Sequence, residues 1–226
     1  MKLEAVRGIV FDLDGTLIDS RADIARAARH ALLAFGFADL PDEEIHGYVG
    51  DGARKLLARA ARVELDDSRM NALYAAFIEY YAAHPVDYTE FCPGAREALA
   101  LDYGVPLALC TNKPRVTTAC ILRELGISER FAVVVAGDDL AKNKPDPLPL
   151  LHIAERLEAA PQRLVMVGDG AQDVGCGRAA GARTIGLRGG IQPEARLLAA
   201  GADLVLGSLH ELPRALSRLD REMTAT

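Results

Sequence analysis

The sequence predicts an α/β protein with a doubly wound parallel sheet and a group of helices inserted after its first strand. Two observations predict this fold. Short, continuous apolar runs alternate with helical patterns that end at glycine, and one long interval, residues 20–83, shows no strand pattern. Strands that alternate with helices are joined by right-handed crossovers and lie parallel. Ligands of such sheets bind beyond the carboxyl ends of the strands.

Six apolar runs are predicted to be buried strands because they are too continuous for half-exposed ones. They are Val6–Leu13, Leu107–Thr111, Val133–Ala136, Leu164–Gly168, Thr184–Leu187 and Asp203–Leu206. Helical patterns lie between most of these runs. Examples are Pro114–Leu125, which is followed by Gly126, and Asp173–Ala180, which is followed by Gly181.

The interval without strands is predicted to be a separate helical cap. Its proposed bounds are residues 20–84, which leaves residues 1–19 and 85–226 as a Rossmann-like core. Ser20 and Asp23 have the spacing of a capping box at the start of the first cap helix.

Two more cap helices are expected over Ala53–Val63 and Ser68–Ala83, each with an apolar stripe at helical spacing. His84–Gly94, which contains two prolines, is the expected return linker. A helical lid on two short hinges above the strand ends would exclude water from a site there.

Composition and charge narrow the class of protein. The chain has 226 residues, 50% of them hydrophobic and 26% charged, an ordinary balance for a soluble globular protein. A formal net charge of -6 disfavours nucleic acid and anionic membranes as partners, but leaves a small anionic substrate open. No run approaches the roughly 20 apolar residues needed to cross a bilayer. We expect a cytoplasmic monomer or homodimer.

The first strand ends in an acidic pair within the stretch IVFDLDGTLIDS, Ile9–Ser20. Asp12 and Asp14 are two residues apart, so both can reach one site, although the turn is expected to rotate Asp14. Gly15 suits a sharp reversal, and Thr16 adds a hydroxyl and backbone donors for an anion. The alternative is an Asx-type turn with a solvated second aspartate.

Polar residues also follow the other strands. Thr111 and Asn112 lie at the end of one strand and are able to donate to phosphate oxygens, and Lys144 lies in a loop that leads to a helix. Asp169 follows another strand, and Asp173 comes four residues later. Each has an ordinary alternative: turn formers, a solvated lysine, or an acidic residue at a helix N-terminus. Because all lie at carboxyl ends of strands, we expect them to converge on one crevice.

The motif DLDGTL, followed by the Thr, Lys-Pro and GDxxxD elements, closely resembles the haloacid dehalogenase superfamily, in particular its phosphatase branch with a helical cap after the first motif. The resemblance spans Val6 to about Leu212. Within that branch the segments TNKP, GDDLAKNKPDPLPLL and VGDGAQD, and VGDGARKLLARA in the cap, look like the phosphoglycolate phosphatase family. Gly170 stands where the superfamily usually has serine, which removes a hydroxyl but leaves both aspartates.

The resemblance implies a haloacid dehalogenase-like Rossmannoid core that hydrolyses a phosphomonoester through an aspartyl-phosphate. Asp12 would be the nucleophile, Asp14 the general acid and then base, and Lys144 would neutralise nucleophile and phosphate. Carboxylates and a substrate phosphate of charge about -1.5 to -2 repel one another unless a cation lies between them. The resemblance implies Mg²⁺, held by the Asp12 and Asp169 carboxylates and the Asp14 backbone carbonyl, with Asp173 orienting the site.

The substrate contacts are expected at both edges of the crevice. Thr16, Thr111 and Asn112 would hold the phosphate. The resemblance implies 2-phosphoglycolate as the substrate, hydrolysed to glycolate and phosphate, and Arg54 is a candidate for its carboxylate. The alternative is that Arg54 and Lys55 form the solvated face of a cap helix.

Other functions stay open at this point. A phosphatase of another small metabolite, such as a sugar phosphate, or a phosphomutase similar to β-phosphoglucomutase would share the core motifs. A dehalogenase needs no proton for its leaving group, so Asp14 disfavours it. A receiver-like phospho-acceptor domain carries no helical insertion of this size after its first strand.

Overall fold

The computed structural model describes residues 2–190 and 194–225. A six-stranded sheet runs through them in the order β5-β4-β1-β6-β7-β8, and every neighbouring pair is parallel. Its strands are β1 (Gly8–Phe11), β4 (Leu107–Cys110), β5 (Val133–Val135), β6 (Leu164–Gly168), β7 (Arg183–Leu187) and β8 (Leu204–Leu206). These are the six predicted strands, with small shifts at their ends. The doubly wound α/β fold is confirmed.

Strand β1 lies at the centre of the sheet. Phe11 is paired with Leu109 of β4 on one side and with Val167 of β6 on the other. Successive residues of a strand point to opposite faces, so Ile9 belongs to one hydrophobic core and Val10 to a second core. A strand with both faces covered has to be apolar throughout, which explains its sequence.

Helices cover both faces of the sheet. The core that contains Ile9 takes side chains from α5, α6 and α10, and the second core takes side chains from α7 and α8. In the described ranges no helix is both long and apolar enough to cross a membrane. The helices are α1 (Arg21–Ala34), α2 (Asp42–His46), α3 (Ala53–Ala61), α4 (Met70–Ala83), α5 (Ala95–Ala100), α6 (Arg115–Glu124), α7 (Leu148–Arg156), α8 (Ala171–Ala180), α9 (Glu194–Ala199) and α10 (Leu212–Thr224).

The C-terminal helix anchors the segment that leads into β1. The Asp220 carboxylate on α10 accepts the backbone N–H groups of Glu4, Ala5 and Val6 at 3.0, 2.8 and 2.8 Å. Burial alone would raise the pKa of Asp220, but these donors outweigh it and the pKa is lowered. The ionised carboxylate therefore stabilises the fold.

Helices α1 to α4 lie between β1 and β4 in the chain, in the interval that shows no strand pattern. The expected helices over Ala53–Val63 and Ser68–Ala83 are confirmed as α3 and α4. Two features were not predicted. One is the five-residue helix α2, and the other is a small antiparallel ribbon of β2 (Ile18–Asp19) and β3 (Glu90–Phe91), through which the chain enters and leaves the helical segment.

The predicted capping box at the start of α1 is wrong. Ser20 makes no side-chain cap, because its hydroxyl donates to Asp14 Oδ1 at 2.5 Å. The Asp23 carboxylate instead accepts the N–H of Tyr88 at 3.0 Å and the hydroxyl of Thr89 at 2.7 Å. Both members of the expected box therefore have other partners: Ser20 contacts Asp14 of the acidic pair, and Asp23 contacts the return segment.

Candidate active site

The turn after β1 places two acidic segments side by side. Asp12 is 5% exposed, and its N–H donates to the Val167 carbonyl of β6 at 2.9 Å. Gly15 has φ +83°, and a Cβ there would collide with the Asp169 carboxylate. The Thr16 hydroxyl lies 3.4 Å from Asp169 Oδ1. Glycine is therefore required where the loop after β1 approaches the loop after β6.

Three carboxylates and one ammonium form a buried cluster. Oxygens of Asp12, Asp169 and Asp173 lie within 4.8 Å of one another. Lys144 Nζ lies 2.7 Å from Asp12 Oδ1 and 2.5 Å from Asp173 Oδ1. The N–H of Gly170 donates to Asp173 Oδ2 at 2.9 Å, so the glycine that replaces serine still contributes a backbone donor.

The electrostatics of this cluster favour an added cation. Burial raises the pKa of Asp12. The nearby charges of Asp173 and Asp169 raise this pKa further, and the charge of Lys144 lowers it in part. Burial alone would lower the pKa of Lys144, but Asp12 and Asp173 outweigh it and the pKa is raised. Three carboxylates and one ammonium, all ionised, carry a formal charge of -2. A divalent metal would balance that charge, and an all-oxygen donor set suits a hard ion.

Asn112 and Thr111 lie at the end of β4, as expected. The Asn112 amide donates to the carbonyls of Gly50 at 3.0 Å and Lys144 at 3.1 Å, and its oxygen accepts the N–H of Lys144 at 3.1 Å. Thr111 Oγ1 accepts the N–H of Lys113 at 3.2 Å. Asn112 thus ties the lysine loop to the helical segment, while the Thr111 hydroxyl retains a proton to donate.

Lys113 is a site residue that sequence reasoning missed. Its Nζ donates to Asp14 Oδ1 at 2.9 Å and to the Tyr81 hydroxyl at 2.7 Å, and its side chain is 3% exposed. Burial alone would lower the pKa of Lys113, but Asp14 and Tyr81 outweigh it and the pKa is raised. A signal was present, because the lysine directly follows Thr111 and Asn112 at a strand end.

A cavity lies between the strand ends and the helical segment. It comprises about 460 Å³, including its opening to solvent. Asp12, Asp14 and Lys113 line its floor, and α1, α3 and α4 supply apolar side chains opposite them. Those apolar side chains are Ile24, Ala53, Leu56 and Phe77, together with Val49 from the loop before α3.

Arg54 does not line this cavity in the structure. It is exposed on α3, where its Nη2 donates to Asn71 Oδ1 at 3.0 Å and its guanidinium lies 4.5 Å from the centre of the Tyr74 ring. The structure therefore brings together the other predicted site residues and leaves Arg54 apart from them. Its predicted contact with substrate stays a prediction.

The fold and the site define a class of protein: an α/β protein with a doubly wound sheet and a buried acidic cluster beyond its central strands. The haloacid dehalogenase-like hydrolase family matches residues 9–187. The chain belongs to that family.

Similar proteins indicate which kind of hydrolase within this family the chain is. The chain is similar to a phosphoglycolate phosphatase of Chromobacterium violaceum, with 38% identity over 94% of this chain and 97% of that protein. It is 35% identical to a phosphoglycolate phosphatase of Escherichia coli, over 95% of this chain and 94% of that protein. A crystal structure of a predicted phosphoglycolate phosphatase from Haemophilus somnus superposes with a TM-score of 0.84 at 25% identity, over 94% and 98% of the two chains. The chain is a phosphatase that acts on a small phosphate ester.

Proposed function

We propose that this phosphatase is a Mg²⁺-dependent phosphoglycolate phosphatase, which converts 2-phosphoglycolate and water into glycolate and phosphate. One observation carries the proposal: Asp12, Lys144, Asp169 and Asp173 converge at the strand ends beside a cavity. The similarity to phosphoglycolate phosphatases along nearly the whole chain supports this choice of substrate.

The first step is a displacement at phosphorus. An Asp12 carboxylate oxygen attacks the phosphorus atom, the bond between phosphorus and the ester oxygen breaks, and Asp14 gives a proton to that oxygen. Glycolate leaves, and Asp12 carries the phosphoryl group. Lys113 and Ser20 donate to the Asp14 carboxylate, which fixes its position in the cavity.

The second step regenerates the enzyme. Asp14, now ionised, takes a proton from water as the water oxygen attacks phosphorus, and the bond between phosphorus and Asp12 breaks. Inorganic phosphate leaves, so one water is consumed for each ester. Lys144 beside Asp12 would balance charge on the phosphoryl group in both steps, with Thr16 and Thr111 as further phosphate contacts. Asn112 would hold the Lys144 loop in place, because the carbonyls of Gly50 and Lys144 occupy both of its amide protons.

The metal would be held by the Asp12 and Asp169 carboxylates and the Asp14 backbone carbonyl, with Asp173 orienting the cluster. The all-oxygen donor set and the formal charge of the cluster support Mg²⁺ in this role. When bound, the ion supplies positive charge that offsets the repulsion between nucleophile and phosphate.

The helical segment would act as the cap, with residues 20–84 covering a core of residues 1–19 and 85–226. Its apolar side chains opposite Asp12 support a role in excluding water. The short ribbon of β2 and β3 offers two connections that could serve as hinges. We further propose a cytoplasmic location and a monomer or homodimer that acts on a small phosphate monoester.

A phosphatase screen tests the proposal. Purified protein with Mg²⁺ is assayed for phosphate release from a panel of small phosphate monoesters, ranked by kcat/KM. We expect 2-phosphoglycolate to rank first. A higher rank for a sugar phosphate would identify a different metabolite phosphatase, and conversion of a sugar phosphate to its isomer without phosphate release would identify a phosphomutase.

A further inference from the structure

A positively charged group is the strongest partner for the carboxylate of the proposed substrate, and the site offers few. Arg54 is held outside the cavity by Asn71 and Tyr74. Lys144 lies between two carboxylates of the buried acidic cluster, Asp12 and Asp173. Among the cavity-lining side chains in the described part of the chain, Lys113 is the cation.

We propose that Lys113 binds the substrate carboxylate and so sets a preference for phosphate esters whose leaving group carries a carboxylate. This inference rests on the proposed function and deepens it, because it assigns the specificity of the same site to one residue.

The position of Lys113 fits the shape of such a substrate. Lys113 Nζ lies 2.9 Å from Asp14 Oδ1, and Asp14 is the group proposed to protonate the leaving oxygen. In 2-phosphoglycolate a single methylene joins that oxygen to the carboxylate. A cation that touches Asp14 is therefore close to where the carboxylate lies when the phosphate is at Asp12.

The Lys113 ammonium is held in place inside the site. It has three protons and three acceptors, the two Asp14 carboxylate oxygens at 2.9 and 3.2 Å and the Tyr81 hydroxyl at 2.7 Å, so a substrate carboxylate would share or replace the longest of these contacts. The ammonium also lies 4.4 Å from the centre of the Tyr81 ring. A buried cation interacts more strongly with a carboxylate than an exposed one does, because water screens it less.

Paired substrates separate a carboxylate contact from a general catalytic loss. The esters are 2-phosphoglycolate and phosphoglycolamide, in which a neutral amide replaces the carboxylate. Lys113→Met is expected to lower kcat/KM for both, because Asp14 loses a partner. The fall in kcat/KM should be at least about ten-fold greater for 2-phosphoglycolate than for phosphoglycolamide, as expected when one ionic contact is lost. Most of this additional fall should be a rise in KM.

Two further variants complete the design. Lys113→Arg keeps the charge and should retain part of the preference for the carboxylate ester. Arg54→Ala, which removes a cation outside the cavity, should change the two esters equally. Lys113→Gln replaces Lys113→Met if the methionine variant does not fold.

The outcomes are distinguishable. Equal losses on both esters in the neutral Lys113 variants overturn the inference and leave the phosphatase proposal standing. A selective loss in Arg54→Ala, with none in Lys113→Met, would assign the carboxylate to Arg54 and also overturn it. Failure of the unmodified protein to release phosphate from either ester overturns the proposed function itself.

Discussion

The two sides of the cavity differ in chemistry. On the strand-end side, the buried Asp12 contacts the buried Lys144, which also contacts the buried Asp173. On the helical side, Leu56 and Phe77 present apolar surface. Charged groups in a dry environment stabilise a charged transition state, whereas apolar groups keep that environment dry. We therefore assign the chemistry, and the substrate selection by Lys113, to the core, and shielding from water to the helical segment.

The two regions meet through polar contacts of two consecutive core residues. Asn112 donates to the Gly50 carbonyl, and Lys113 donates to the Tyr81 hydroxyl. Both residues directly follow the end of β4. Asp14, the proposed acid, therefore lies where the two regions meet. Variants in each region can test whether the core carries the chemistry and the helical segment the shielding.

Metal removal should have the largest effect. Treatment with EDTA is expected to abolish phosphate release, because the acidic cluster would repel the substrate phosphate, and added Mg²⁺ should restore the rate. The measurement is a rate assay before and after metal addition, with thermal unfolding followed in parallel. A protein that works at full rate without metal would contradict the role of the cluster.

Loss of the buried lysine should come next. Lys144→Met removes the ammonium between Asp12 and Asp173; one unit-charge pair about 4 Å apart contributes about 4 kcal/mol at an effective dielectric near 20. A loss of that size lowers kcat/KM about a thousand-fold. Lys142→Met is the matched control, because Lys142 is exposed and pairs with Asp146. Similar rates for the two variants would refute the assignment.

A cap variant should affect stability more than chemistry. Phe77 is 2% exposed and packs edge-on against Tyr81. Phe77→Ala is expected to lower the free energy of unfolding by about 3–5 kcal/mol. Below its melting temperature, its kcat should fall far less than that of Lys144→Met, as stopped assays at low temperature would show. An equal fall in kcat would break the division between core and cap.

The smallest effect is expected far from the site. Asp220→Asn weakens three hydrogen bonds to a charged acceptor and should cost about 1–3 kcal/mol of unfolding free energy at neutral pH. The folded-state pKa of Asp220 is lowered from 3.8, so its contribution is present above that pH and is lost as pH falls through the folded-state value. Denaturation at several pH values should show the difference from the unmodified protein shrinking below about pH 4.

The control for this variant lies on the same helix. Glu222→Gln changes an exposed carboxylate that pairs with Arg218, and surface pairs contribute about 0–1 kcal/mol. If the two variants lose equal stability at neutral pH, the backbone hydrogen bonds of Asp220 are not what stabilises the N-terminal segment.

The sheet and the acidic motif were predictable because both follow local patterns. A strand covered on both faces must be apolar, and parallel strands bring their polar ends to one edge. Asp12, Asp169 and Asp173 meet as that rule predicts. The ribbon of β2 and β3 was not predictable, since a two-residue strand has no periodicity to detect.

The sequence predicted the partners of individual side chains less well than it predicted strands and helices. Ser20 fits a helix cap by spacing, but the folded chain offers it Asp14. Arg54 fits a substrate contact by its place in the cap, but it lies against Tyr74. Lys113 fits a turn by its place after a strand, but in the folded chain it donates to Tyr81 of α4. Such partners are set by packing between distant segments, which a local pattern does not record.

The most direct test of the central claim is Asp12→Asn. Asparagine has nearly the same shape, and Lys144 keeps Asp173 as a charged partner, so the variant should remain folded, as thermal unfolding would show. Asp19→Asn, at a half-exposed carboxylate beside Arg21, is the control and should remain active. The account predicts no phosphate release from folded Asp12→Asn with Mg²⁺ present; substantial turnover would contradict it.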